Sequence, residues 1–264
     1  MKELLDRIRN ARVYDLGQPY FVGMPHHPVH PPFLFSLSKR HGDYLIEGGA
    51  SSAAEAFTLG GHVGTHIDAL CHFSCGGKLY GGVEAAGVQS FAHGLERWSV
   101  DTIEPILRRG VLLDIAGDAV LPRDFLVSPG HLEDACRNQG VAVDAGDVVL
   151  LRTGWGQYWN DPARYIAQVH GPGPEAPGAR WLSERKIFAA GSDTIAFERV
   201  PSSSMPVHVH LLVESGIHIL EALNLEELAR DRVYEFLFVA APLKIRGGTG
   251  SPIRPLALRA EGGK

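Results

Sequence analysis

Between Gly61 and His72 the chain reads Gly61-His62-Val63-Gly64-Thr65-His66-Ile67-Asp68-Ala69-Leu70-Cys71-His72, which puts three imidazoles and a carboxylate within one short stretch. If these groups act together, few backbone paths are open to them. A helix would align His62 with His66, but Gly64-Thr65 and the β-branched, apolar surround disfavour one. A straight strand would point residues 62, 66, 68 and 72 to one side, yet hold His62 and His66 roughly 13 Å apart at ~3.3 Å per residue. One ion bound at ~2 Å could not reach both. The chain must bend between them, and Gly61 and Gly64 are the residues that permit positive φ or close backbone approach. Beyond the bend, His66 and Asp68 share a face of a short strand as adjacent ligands, with His72 further along the same side. Neutral imidazole combined with carboxylate suits zinc or manganese better than calcium or magnesium. The plain alternative is a chance cluster of core or surface histidines. Cys71 and Cys75 also flank His72, but the His and Asp groups already supply ligands, and buried, inert thiols are the default reading.

A chain of 264 residues with 45% hydrophobic and 21% charged residues can bury a large core, and no low-complexity linker divides it. A single domain over 1–264 is expected. The net charge is −5 and the basic residues are scattered. That gives no footprint for nucleic acid or an anionic membrane and favours a small-molecule substrate as partner. The charged start Met1-Lys2-Glu3-Leu4-Leu5-Asp6-Arg7 lacks a signal-peptide core, and three cysteines fit free thiols, so a cytoplasmic location is expected.

Along the chain, residues 2–10 read as a short helix and 12–16 as a strand. Residues 18–32 are too rich in proline and glycine for helix or central strand, and their apolar content predicts a packed loop. Its His26, His27 and His30 read as loop histidines rather than ligands. Ala53–Leu59 reads as a strand delivering the histidine motif. Asp101-Thr102-Ile103-Glu104 has the form of a capping box opening a helix that stops at Gly110, followed by a buried strand at 111–115. Ser128-Pro129 opens a second helix closed by Gly140, before a strand at 147–152. A third helix at about 176–186 precedes an apolar strand ending at Ser192-Asp193, where the acid reads as a turn or cap rather than a catalyst. Such alternation implies parallel strands covered by helices. Gly171-Pro172-Gly173-Pro174-Glu175-Ala176 matches GxGxxA only formally, with no strand to deliver it. No GxSxG elbow is present.

Late in the chain, Pro206 opens a short helix carrying His208, and Ile217–Leu220 is too apolar for the surface. Glu221 directly follows that run, so it is expected near the interior, where an acid needs a metal, a cation or a hydrogen-bond partner. Residues 233–243 read as a central strand.

The motif His62-Val63-Gly64-Thr65-His66-Ile67-Asp68-Ala69-Leu70-Cys71-His72 resembles the HxGTHxDxxxH signature of the cyclase family of metal-dependent hydrolases, which includes bacterial kynurenine formamidases and isatin hydrolases. The similarity extends to His208-Val209-His210-Leu211-Leu212, to Gly216-Ile217-His218-Ile219-Leu220-Glu221 and to Gly247–Leu258. The resemblance implies an α/β fold, a single domain with a mixed, barrel-like sheet flanked by helices. It implies His62, His66 and Asp68 as metal ligands, His72 as acid and base, and His208 and Glu221 as ligands of a second ion that Asp68 bridges. One or two Zn2+ or Mn2+ ions are thus expected as cofactors. His208 and Glu221 lie one residue further apart than in the formamidases, which leaves open a single ion with these two acting on substrate or as supports. The resemblance also implies that the proline-rich loop covers the site, with Phe21, Met24 and Phe33 as candidates for a substrate-binding wall and plain core packing as their alternative role, and that the protein is a homodimer or higher homo-oligomer. The implied activity is hydrolysis of an amide-type bond (cyclic amide or imide, lactone, or N-formyl amide) in a small aromatic substrate. A non-catalytic metal- or small-molecule-binding module is the alternative from another class.

Overall fold

A computed structural model describes residues 2–260. Its main strands, in chain order, are β1 (Ala11–Asp15), β2 (Leu34–Lys39), β3 (Ala54–Thr58), β4 (His66–Asp68), β5 (Ile106–Asp114), β6 (Val148–Arg152), β7 (Ala189–Ser192), β8 (His218–Glu221), β9 (Glu235–Ala240), β10 (Gly250–Pro252) and β11 (Leu256–Ala260). Nine of them form one curled mixed sheet in the order β1-β11-β9-β5-β6-β7-β8-β4-β10. Neighbours from β5 to β8 run parallel; every other pair is antiparallel. This is the mixed α/β architecture expected from the resemblance.

Side-chain alternation divides the core. Leu112, Leu150 and Leu220 enter one apolar layer with Phe236 and Phe238. Val111, Leu113, Val149, Leu151 and Ile219 enter the other, beneath the helices Pro129–Gln139 and Ala176–Glu184. Because both faces are covered, these strands read as continuous apolar runs. The helix at 129–139 ends as its residues dictate. The Ser128 hydroxyl accepts from His131 N, Pro129 opens the first turn, and Gly140 closes it at φ 67°.

Two expectations need correction. The segment 101–110 is not a helix: a single 3-10 turn at Val100–Thr102 leads into β5, which begins at Ile106. Pairing with β9 outweighs the local capping pattern. Gly110 is needed in that pairing, since a Cβ there would overlap the Phe236 ring. The strand at 54–58 exists, but it pairs only with β2 in a separate hairpin and does not join the main sheet. Residues 18–33 form no helix or strand, as expected.

Candidate metal centre

β4 is the inner rail of the site. Period-two alternation turns Ile67 into the core and His66 and Asp68 to the opposite face. β8 pairs with β4 so that Glu221 lies opposite His66 and Ile219 opposite Asp68. The antiparallel register therefore brings Glu221 onto the face of His66 and Asp68 although it is distant in sequence. His62 returns to this face through the bend. Gly64 takes φ +71°, while Gly61 approaches Gly250 so closely that a Cβ would meet its carbonyl oxygen at 3.0 Å. Of the two glycines, Gly64 thus makes the turn and Gly61 makes room. His72 follows a turn in which its N–H donates to Ala69 O, and its ring stacks on His62 with centroids 3.8 Å apart.

The polar atoms converge on Asp68. His62 Nδ1 lies 2.7 Å from Asp68 Oδ1, and His66 Nε2 is 3.5 Å from the same oxygen and 3.4 Å from Glu221 Oε2. His208 Nε2 is 3.2 Å from Glu221 Oε1 and 3.9 Å from Asp68 Oδ2. Two donor groups result, His62-Asp68-His72 and Asp68-His208-Glu221, with Asp68 common to both. His66 stands between them. All six side chains are largely buried, and the polar site residues named from the sequence are brought together in one place.

Supports that sequence reading missed surround this set. The Gly64 carbonyl accepts from His66 Nδ1 (2.8 Å), which leaves Nε2 facing Asp68 and Glu221. Buried Glu198 accepts from both His208 Nδ1 (2.7 Å) and His208 N (3.0 Å), and directs Nε2 of that ring the same way. Thr249 Oγ1 is 2.9 Å from His62 Nε2, and His218 Nδ1 is 2.9 Å from Asp68 O. Glu198 carried a readable signal: like Glu221, it directly follows an apolar run, Ile195-Ala196-Phe197.

Burial opposes ionisation of Asp68 and Glu221, but their imidazole neighbours outweigh it and lower both pKa values. Burial likewise disfavours a charged His208, yet Glu198 and Glu221 raise its pKa on balance. His72 is different: burial lowers it to about 4, so it is neutral at pH 7.

Asp68 Oδ2 is buried without a hydrogen-bond partner among the described residues. A carboxylate oxygen left bare inside a ring of imidazoles is a costly arrangement unless a cation completes it. The mixed nitrogen and oxygen donor set therefore fits a divalent transition metal.

The proposed wall residues separate. Phe21 and Phe33 line an apolar cavity of about 670 Å3 with Tyr20, Phe35, Phe57 and Leu59. Met24 is 2% exposed and packs in a core cluster with Val63, Trp155 and Trp159. Asp193 is a cap, accepting from Thr153 N, Thr153 Oγ1 and Gly156 N.

The family model named Cyclase matches residues 14–199. The chain belongs to the cyclase family. This cyclase-family chain is 29% identical to isatin hydrolase of Roseibium aggregatum over 208 residues, covering 76% of this chain and 72% of that protein. It is 28% identical to a kynurenine formamidase of Bacillus cereus over 247 residues, 94% of this chain and 97% of the relative. Among solved structures it superposes on a crystal structure described as a novel cyclase with a TM-score of 0.87 at 30% identity, covering 98% and 90% of the two chains. Isatin hydrolase A of Ralstonia solanacearum gives 0.77 at 26% identity, covering 97% and 95%.

Proposed function

We propose that this protein is a divalent-metal hydrolase that opens amide-type C–N bonds other than peptide bonds in a small aromatic substrate, a cyclic amide or imide or an N-formyl amide, and releases a carboxylate. Lactones belong to the same substrate screen. The observation that carries the reading is the convergence of His62, His66, His72, His208 and Glu221 on Asp68, one oxygen of which is bare. The relatives named isatin hydrolase and kynurenine formamidase support the reaction class.

In this reading His62, His66 and Asp68 would hold the ion, zinc or manganese, and His208 and Glu221, together with Asp68, would hold a second one. When bound, such an ion lowers the pKa of a water toward roughly 7 for zinc and polarises a carbonyl oxygen. His72, kept neutral by burial, takes the proton of the attacking water and returns it to the leaving nitrogen. Stacking on His62 holds its ring in place. Phe21 and Phe33 supply apolar wall for an aromatic group, and Met24 supports the loop from behind. One domain spanning the chain carries the whole centre.

We further propose a homodimer. β2 and β3 form an isolated hairpin on which Leu34, Phe35, Leu37 and Phe57 are each about half exposed or more. A two-stranded hairpin is marginal alone, and a second copy would cover these side chains. Among the described residues no helix is long and apolar enough to cross a membrane.

The test is metal analysis of the purified protein, followed by a hydrolysis screen over N-formyl aromatics, aromatic lactams, cyclic imides and lactones. Turnover should vanish on chelation and return with zinc or manganese. His72→Ala should keep its metal and lose about 10²- to 10⁴-fold in kcat. Full turnover by the chelated protein would end the proposal, and stoichiometric metal without turnover would favour a binding module.

A further inference from the structure

The proline-rich loop carries an imidazole that the site described above does not use. His30 N donates to His27 O (2.9 Å), closing a turn through Pro28 that sets the two rings edge to face at 5.8 Å. His30 in turn stacks on His62 at 5.4 Å, and His62 on His72 at 3.8 Å. Four imidazoles thus form a row from the loop to the metal centre. The loop is clamped on both sides of the turn. Met24 is buried upstream, and Pro31 packs so close to Gly60 that a Cβ there would lie 3.1 Å from its ring.

His27 has a defined hydrogen-bonding state. Val29 N donates to His27 Nδ1 at 3.3 Å, so the neutral ring carries its proton on Nε2. Burial lowers its pKa, partly offset by the field of Glu221, so the neutral form prevails at pH 7. Among the described residues no acceptor is paired with that Nε2–H. Around the centre Asp68, Glu198 and Glu221 are buried acids, and no Lys or Arg among the described residues pairs with any of them. The hydrogen bonds of these three acids come instead from imidazoles and from the backbone N–H groups of Phe197 and His208.

We propose that His27 Nε2–H is a substrate-binding donor of this enzyme, hydrogen-bonded to the acyl oxygen of an aromatic amide and to the aryl carboxylate released from it, with His30 as the spacer that aims it. This rests on the hydrolytic reading of the same centre. It also identifies the loop as the specificity element for an oxygen acceptor, where an apolar wall alone would select only for shape.

The test measures benzoate binding by calorimetry to the metal-loaded protein, beside metal content and kcat/KM on any amide found in the screen. Wild type should bind benzoate. His27→Phe keeps ring volume without the N–H and should weaken benzoate binding about tenfold, as the loss of one hydrogen bond implies. It should lower kcat/KM by about 10- to 100-fold while metal content stays at the wild-type level. His27→Gln, which keeps a donor, should recover most of the binding. Unchanged benzoate affinity in His27→Phe, loss of metal from it, or no benzoate binding by wild type would each overturn the assignment. If no amide is turned over, the hydrolytic reading fails on that result alone, and benzoate binding still decides the role of His27.

Discussion

Alanine in place of Gly64 is expected to destabilise the protein by about 5 kcal/mol, within a range of about 2 to 8, as three contributions add and one smaller one offsets them. An L-residue held at the observed φ of +71° costs about 1–2 kcal/mol. The new methyl would sit 2.5 Å from Tyr20 Cζ and 2.7 Å from its hydroxyl oxygen, and overpacking of this kind costs about 1–3 kcal/mol. Displacing the ring also breaks the hydroxyl's donation to Thr65 O (2.9 Å) and Val63 O (3.1 Å), which adds about 1–3 kcal/mol if those carbonyls stay dry. Lower unfolded-state entropy offsets about 0.4–1 kcal/mol. The assay is urea unfolding of the chelated protein, so that metal binding does not mask the loss. Tyr20→Ala in the Gly64→Ala background separates the causes: it should recover the overpacking part and leave the backbone part. A Gly64→Ala loss under 1 kcal/mol, or a Tyr20→Ala loss that simply adds to it, would refute the claim that the bend and the ring are one packed unit.

Three further outcomes follow from the geometry. Burial raises Asp193 from 3.8 to about 6, so its contribution to stability is full below pH 3.8 and is lost as pH rises to about 6, a change of about 3 kcal/mol. The urea midpoint of Asp193→Asn should lack that fall between pH 4 and 6; equal slopes in both proteins would contradict it. Glu198→Gln should weaken metal affinity about 10- to 100-fold by loosening the hold on His208, with little change in fold by circular dichroism. Metal titration with a competing chelator reads this directly, and wild-type affinity would remove Glu198 from the centre. Phe57→Lys should shift the proposed dimer toward monomer in sedimentation velocity, because Phe57 is exposed in the single chain. An unchanged sedimentation coefficient would place the interface elsewhere.

Much of the fold was legible because local chemistry and final structure agree there. Ser128, Pro129 and Gly140 bound a helix by their own capping preferences, and the runs 148–152 and 218–220 are apolar enough to lie inside a sheet. The reading failed at 101–110, where an acid-x-x-Glu pattern mimics a helix start but the strand Glu235–Ala240 offers a longer ladder to pair with. It also missed that β2 and β3 stand apart as a hairpin. Alternating polar and apolar residues mark a strand without saying which neighbour it takes.

The same division runs through the site. Donor types, the need for a bend at Gly64 and the shared face of His66 and Asp68 follow from covalent geometry and period-two alternation, so sequence alone determines them. Which distant groups close the site depends on pairing and packing. The β8–β4 register sets Glu221 opposite His66, Glu198 aims His208, and the turn at His27–His30 lays an imidazole row against His62. No local pattern encodes those distances, because each is set by where the sheet places a strand or a loop that the motif itself never contacts in sequence.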